Sequence, residues 1–172
     1  MKLTDFIREI PDFPKPGILF RDITPVLEDP AAFALAIAEM TEQADRIAPD
    51  KVAAIESRGF IFAGPLCQAR KLPLVLLRKA GKLPGETIAA NYDLEYGQAA
   101  LEVHVDSLAA GDRVLILDDL LATGGTAAAA AKLVRQAGAE VAGFVFLIEL
   151  RNLAGRAKLD AEAPVFSLVK YD

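Results

Sequence analysis

The sequence predicts an α/β fold, with a central parallel sheet flanked by helices, and three observations carry that reading. Strand-like segments alternate with segments at helical spacing along the chain. Val114-Leu-Ile-Leu117 is apolar without alternation, as in a strand buried on both faces. That run leads straight into Asp118-Asp119, then Thr123-Gly-Gly-Thr126, then an alanine-rich helix. The polar chemistry is therefore gathered at the carboxyl end of a buried strand, where open α/β sheets hold their ligands.

In chain order, Leu3, Phe6, Ile7 and Ile10 stand at helical spacing and predict a short amphipathic helix, ended by Pro11. Three prolines and a glycine make 11–17 irregular, and 18–25 reads as an extended arm. Asp29-Pro30 pairs an N-cap acid with a proline at the first helical position. Phe33, Ile37, Met40, Ala44 and Ile47 mark that helix's apolar face, and Pro49 closes it. A strand over 52–56 is followed by the Ser57-Arg58-Gly59 turn and a helix over 60–70. Residues 73–79 read as another buried strand, ending in Arg78 and Lys79. Glycines, Pro84 and many polar residues make 81–97 a long loop, the usual form of a lid. Residues 98–106 alternate as a half-exposed strand, with His104 a structural or surface residue on its polar face. Gly111-Asp112 turns into the central strand, and the helix over 127–137 is closed by Gly138. A strand over 139–150, a short helix over 152–159 and a last strand over 164–170 complete the pattern.

A length of 172 residues suits one domain with a sizeable core. The formal charge of −5 argues against a general nucleic-acid binder, though it leaves room for a local basic pocket. Cys67 reads as a packed helical thiol rather than a nucleophile. Asp5 and Glu9 stand where a signal peptide would be apolar, and no run is long enough to span a bilayer, so the expected location is cytoplasmic. No cluster of His and Cys predicts a protein-held metal.

The chemistry follows from the residue types. Gly124 and Gly125 let a backbone turn bring its N–H groups close to a ligand. The helix that follows adds unpaired N–H groups and the positive end of its dipole, giving a site for a phosphate dianion. The hydroxyls of Thr123 and Thr126 can donate to the same oxygens. Asp118 and Asp119 are acceptors for a neighbouring pair of hydroxyls, so the stretch fits a ribose 5-phosphate. Gly-Gly alone would be an ordinary turn; the whole string in this order is far more specific. It lacks the lysine of a P-loop and the G-x-G-x-x-G of a dinucleotide site. Ser57-Arg58-Gly59 repeats the strand–loop–helix arrangement and offers a second anion site, with Arg78, Lys79 and Lys82 as nearby cations.

Asp118-Asp-Leu-Leu-Ala-Thr-Gly-Gly-Thr126 resembles the phosphoribosyl-pyrophosphate motif of type I phosphoribosyltransferases, in its adenine-enzyme form. The resemblance runs from Phe13 to Tyr171 and implies one domain over 1–172, with a hood over about 1–28 and a flexible lid over about 81–97. It implies transfer of a phosphoribosyl group from phosphoribosyl pyrophosphate to adenine, giving AMP and pyrophosphate in purine salvage. It assigns the ribose 5-phosphate to Asp118, Asp119, Ala122, Thr123, Gly124, Gly125 and Thr126. Pyrophosphate falls to Ser57, Arg58, Arg78, Lys79 and Lys82, with a non-proline cis peptide at Glu56-Ser57. Adenine falls to Leu19, Phe20 and Arg58, the lid to Tyr96 and the catalytic glutamate to Glu95. Mg²⁺ is expected on substrate pyrophosphate and ribose hydroxyls, and a homodimer is expected, with Arg78 serving its own or the neighbouring site. A phosphoribosyltransferase for another base, or a non-catalytic sensor of phosphoribosyl pyrophosphate, would share the same motif. The sensor would need an output module, and neither a winged-helix segment nor a basic recognition helix is visible.

Overall fold

The computed structural model describes residues 1–94, 97–159, 161 and 163–172. Among them, β1 (Arg8–Pro11) and β2 (Leu19–Asp22) form a two-stranded ribbon. Two helices follow, α1 (Thr24–Glu28) and α2 (Pro30–Ile47), then β3 (Lys51–Ile55), α3 (Arg58–Arg70), β4 (Leu74–Lys79), β5 (Thr87–Asp93) and β6 (Gln98–His104). The chain ends with β7 (Arg113–Leu121), α4 (Gly125–Gln136), β8 (Glu140–Leu150) and β9 (Val165–Tyr171), with 3-10 turns at Arg151–Leu153 and Gly155–Lys158. The main sheet has the order β5-β6-β4-β3-β7-β8-β9.

The run that predicted a doubly buried strand is β7, an interior strand of this sheet between β3 and β8. Leu115 and Leu117 face a core built with Met40 and Ala44 of α2 and Phe62 and Leu66 of α3. Val114 and Ile116 face the opposite core, with Ala130, Leu133 and Val134 of α4 and Phe144 and Phe146 of β8. Each large apolar side chain so buried contributes about 1.5–3 kcal/mol, which holds the end of β7 rigidly in place. Asp29 caps α2 as its sequence requires, its carboxylate accepting from the amides of Ala31 and Ala32 at 2.9 and 2.8 Å. The fully buried face of α2 carries Ala32, Ala36, Met40, Ala44 and Ile47, while Phe33 and Ile37 sit on its half-exposed flank.

Four expectations need correction. The sheet is mixed: β3, β4, β7, β8 and β9 are parallel, but β6 runs antiparallel to β4 and β5 antiparallel to β6. The segment 81–97, expected as loop throughout, contains a strand of seven residues. Thr87–Asp93 pairs with β6 from Thr87↔His104 to Asp93↔Gln98, and Ile88, Ala90 and Tyr92 turn inward against the α4-side core. Its apolar residues alternate, but polar neighbours and glycines on either side obscured a strand whose partner lies just beyond the turn. The opening amphipathic helix is a 3-10 turn at Leu3–Phe6 followed by β1. Helices that short are marginal alone, and pairing with β2 gives the same backbone groups a ladder, with Ile10 opposite Phe20. The return is made by the irregular 11–17 segment, where the Asp12 carboxylate accepts from the Gly17 amide at 2.8 Å. Finally, β4 is buried on one face only. Val75 and Leu77 enter the α4-side core, while Leu74 and Leu76 remain 37% and 40% exposed. The extended arm expected over 18–25 is β2 and then the start of α1, where the Asp22 carboxylate accepts from the Thr24 amide and hydroxyl.

Candidate active site

The carboxyl ends of β3 and β7 lie side by side, and the loops that leave them enclose a cleft of about 440 Å³. One wall is the β7 end and its loop: Asp118 and Asp119, then Ala122, Thr123, Gly124, Gly125 and Thr126. Gly124 stands at φ +82°, a left-handed conformation that glycine adopts without strain, and α4 begins at the next residue. The first N–H groups of α4 and the dipole they head are thereby brought to the cleft. The facing wall is the β3 end, with Glu56, Ser57 and Arg58, joined by Lys79 from β4. The Glu56–Ser57 peptide is cis, as the resemblance implied. Tyr92 and Leu94 of the β5 hairpin close a third side; reading that segment as loop concealed them.

Gly59 shows why the second residue of α3 must be small. A Cβ there would lie 3.0 Å from Asp118 Oδ1 and 3.1 Å from the Leu117 carbonyl oxygen. The bare backbone at Gly59 therefore packs directly against the end of β7.

The charges are arranged in two pairs. Arg58 Nε donates to Asp119 Oδ2 at 2.7 Å, and the Asp119 amide donates to Asp118 Oδ1 at 2.8 Å. Burial and the adjacent Asp119 charge push the Asp118 carboxyl well above the usual carboxylate range, outweighing the Asp119 amide and Arg58. Burial raises Asp119 as well, but Arg58 opposes the shift. In the second pair, the buried Glu56 carboxylate accepts from Arg78 Nε at 2.9 Å and from the Lys79 amide at 2.7 Å. Burial pushes Glu56 upward, yet the Lys79 amide, Arg78 and Lys82 outweigh it, and its pKa falls below its ordinary value. Glu149, near the end of β8, is also lowered, chiefly by its bond from Arg156.

A native pKa below the unfolded value means stability that is complete above the unfolded value and is lost as pH falls through the native one. Glu56 and Glu149 therefore stabilise the fold above about pH 4.5 and progressively less below it. Glu56→Gln and Glu149→Gln should each lower Tm at neutral pH and show a flatter acid limb than the parent. A Tm-versus-pH series by differential scanning fluorimetry measures this, and acid limbs parallel to the parent's would refute it.

The cleft gathers every residue assigned to the ribose 5-phosphate, together with Ser57, Arg58 and Lys79. It does not gather Arg78 or Lys82: Arg78 is engaged with Glu56 and with the Lys82 carbonyl oxygen at 3.3 Å. Leu19 and Phe20 lie on β2, outside the cleft walls, Leu19 43% exposed and Phe20 edge-on to Phe13 at 5.0 Å between ring centroids. His104 has the structural role expected, its Nε2 lying 2.7 Å from the Pro84 carbonyl oxygen. Glu95 and Tyr96 lie outside the described residues.

Two facing strand–loop–helix ends, each suited to an anion, with paired acids on the β7 wall, make a cleft whose chemistry suits a phosphorylated sugar. That arrangement defines the phosphoribosyltransferase class, and the phosphoribosyl transferase domain family matches residues 26–170. The adenine phosphoribosyltransferase of Synechococcus sp. (strain CC9605) is 53% identical over 171 residues, 99% of each chain. The crystal structure of the Thermoanaerobacter pseudethanolicus adenine phosphoribosyltransferase superposes with a TM-score of 0.94 at 49% identity, over 98% of each chain. That of the Saccharomyces cerevisiae enzyme, complexed with an imino-altritol bisphosphate and adenine, gives 0.90 at 41% identity over 96% of each. The chain belongs to the adenine phosphoribosyltransferase family.

Proposed function

We infer that this protein transfers the phosphoribosyl group of 5-phosphoribosyl 1-pyrophosphate to N9 of adenine, forming AMP and pyrophosphate in purine salvage. The observation that carries the reading is the pair of facing anion sites, the 123–126 loop with Asp118 and Asp119 on one side and Ser57, Arg58 and Lys79 on the other. The yeast relative's complex with a bisphosphate and adenine supports the same two-part substrate.

The loop N–H groups and the hydroxyls of Thr123 and Thr126 hold the 5-phosphate, and Asp118 and Asp119 accept from the ribose hydroxyls. Ser57, Arg58 and Lys79 receive the pyrophosphate. C1′ is thereby suspended between fixed ends, so catalysis rests on position and on shielding the developing cation from water. Oxygen donors are what Mg²⁺ takes, and the paired acids of the cleft fit an ion carried mainly on pyrophosphate and ribose oxygens. When bound, it neutralises the leaving group. Phe20 stacks on adenine and the Leu19 backbone reads its edge, the ribbon acting as the hood. Tyr96 is assigned to the lid, and the described residues on either side of it, Leu94 and Gly97, follow β5 and precede β6.

A homodimer would cover Leu74 and Leu76, and Arg78 shares their side of β4, which favours a role for it near the neighbouring site. Among the described residues, no helix is long and apolar enough to cross a membrane; a cytoplasmic location is the reading that accompanies the salvage role.

A pocket that presents acceptors to the 6-amino group sets two acceptors against each other when a 6-oxo purine enters. The unpaired buried carbonyl costs about 1–3 kcal/mol or more. Adenine should turn over well and hypoxanthine and guanine at least about ten-fold less efficiently. A purine-by-purine measurement of kcat/KM tests the function itself, and comparable values for hypoxanthine and adenine would overturn the assignment.

A further inference from the structure

We propose that Gly155 is the positioning residue of the phosphate loop, pressed against it by the anchoring of Arg156. The inference rests on reading 122–126 as that loop. A Cβ on Gly124 would come 2.3 Å from the Gly155 carbonyl oxygen. Conversely, a Cβ on Gly155 would come 2.2 Å from the Ala122 carbonyl oxygen and 2.9 Å from the Gly124 nitrogen. The two backbones are therefore in direct contact, with no side chain between them. At Gly124 the left-handed φ already calls for glycine. Gly155 has no such φ, so space alone requires it there.

What keeps Gly155 in place is the residue after it. Arg156 grips the buried Glu149 carboxylate with two prongs, Nε to Oε1 at 3.0 Å and Nη2 to Oε2 at 2.6 Å. Its Nη1 donates to the Val165 carbonyl oxygen at 2.8 Å, so the 155–158 turn is fastened to both β8 and β9. Glu149 is the register partner of Leu121, the last residue of β7 before the loop. Anchor and loop thus spring from neighbouring points of the same sheet. Arg156 fixes the turn, the turn's bare backbone braces Ala122 and Gly124, and the loop's N–H groups are held in one arrangement before the anion arrives. Such preorganisation raises affinity by removing an ordering cost from binding.

The test is calorimetric binding of ribose 5-phosphate to the full chain, with KM for each substrate measured in parallel. Gly155→Ala should weaken ribose 5-phosphate about ten-fold or more, since displacements near 1 Å are costly at such sites. KM for phosphoribosyl pyrophosphate should rise in proportion, with KM for adenine unchanged. Arg156→Lys keeps the charge but loses the fork and should cost about three-fold. Combined with Gly155→Ala it should bind more tightly than Gly155→Ala alone, because the freed turn can retreat. Thr126→Ala is the control for the loop reading. Gly155→Ala binding within about two-fold of the parent, while Thr126→Ala is weakened, would overturn the proposal and spare the loop. No binding by the parent chain would sink the loop reading instead. If Gly155→Ala does not fold, Arg156→Lys decides: unchanged affinity overturns the proposal. Equal rises in both KM values with a lowered Tm would mark the contact as merely structural and overturn it too.

Discussion

Asp119→Asn should weaken phosphoribosyl pyrophosphate by roughly ten- to a hundred-fold, and Asp118→Asn should weaken it while making the unliganded protein more stable. Hydrogen bonds to a charged group contribute about 1.5–3 kcal/mol, and both ribose hydroxyls are assigned to these carboxylates. Asp119→Asn also breaks the pair with Arg58, an anion-wall residue, so its loss exceeds that of a single bond. Asp118 differs because burial and the Asp119 charge outweigh the Asp119 amide and Arg58, raising its pKa well above the unfolded value of 3.8. The folded state then holds a proton more tightly than the unfolded one, so stability declines as pH rises through that interval. An asparagine removes this cost, and its carbonyl oxygen can still accept from the Asp119 amide. Tm of Asp118→Asn should therefore exceed the parent's at neutral pH, and the gain should vanish below about pH 3.8, where the parent carboxyl is protonated in both states. Thermal unfolding across pH, paired with calorimetry, measures both sides of this trade of stability against binding. A lower Tm for Asp118→Asn at neutral pH, or unchanged affinity for Asp119→Asn, would show that the dyad has been misread.

The parts of this architecture that the sequence made legible are those encoded locally. The β7 end, its loop and the start of α4 were readable because burial on two faces, paired acids and a glycine turn all fall within thirteen consecutive residues. The Asp29 cap of α2 is local in the same way. The failures are contacts whose partner lies elsewhere. The antiparallel edge was hidden because β5 is defined by β6 rather than by its own composition. The exposed side of β4 was misjudged because nothing in Leu74–Leu77 says which face a helix will cover. Gly155 gave no signal at all, since its reason for being glycine is a carbonyl thirty-three residues earlier in the chain, at Ala122. Even so, Ala122 was informative by what it lacks, and that bears on the proton.

Glu95→Gln should lower kcat by about 10²–10⁴-fold while leaving adenine affinity nearly unchanged, the range that a positioned general base supplies. Adenine N9 must lose a proton as it attacks C1′, and the described acids of the cleft are otherwise engaged. Asp119 is held by Arg58, Asp118 accepts from the Asp119 amide, and Glu56 is bound by Arg78 and the Lys79 amide. Ala122, immediately before the Thr-Gly turn, has a side chain that can accept nothing. The resemblance assigns the catalytic glutamate to Glu95, and its sequence neighbour Leu94 lines the cleft. When the site closes over substrate, desolvation would raise the pKa of such a carboxylate toward a value useful for taking a proton near neutral pH. The measurement is single-turnover formation of AMP by parent and Glu95→Gln chains, with adenine Kd determined separately. If the mutant remains within a few-fold of the parent when chemistry limits the rate, Glu95 does not take the proton, and N9 must release it to water.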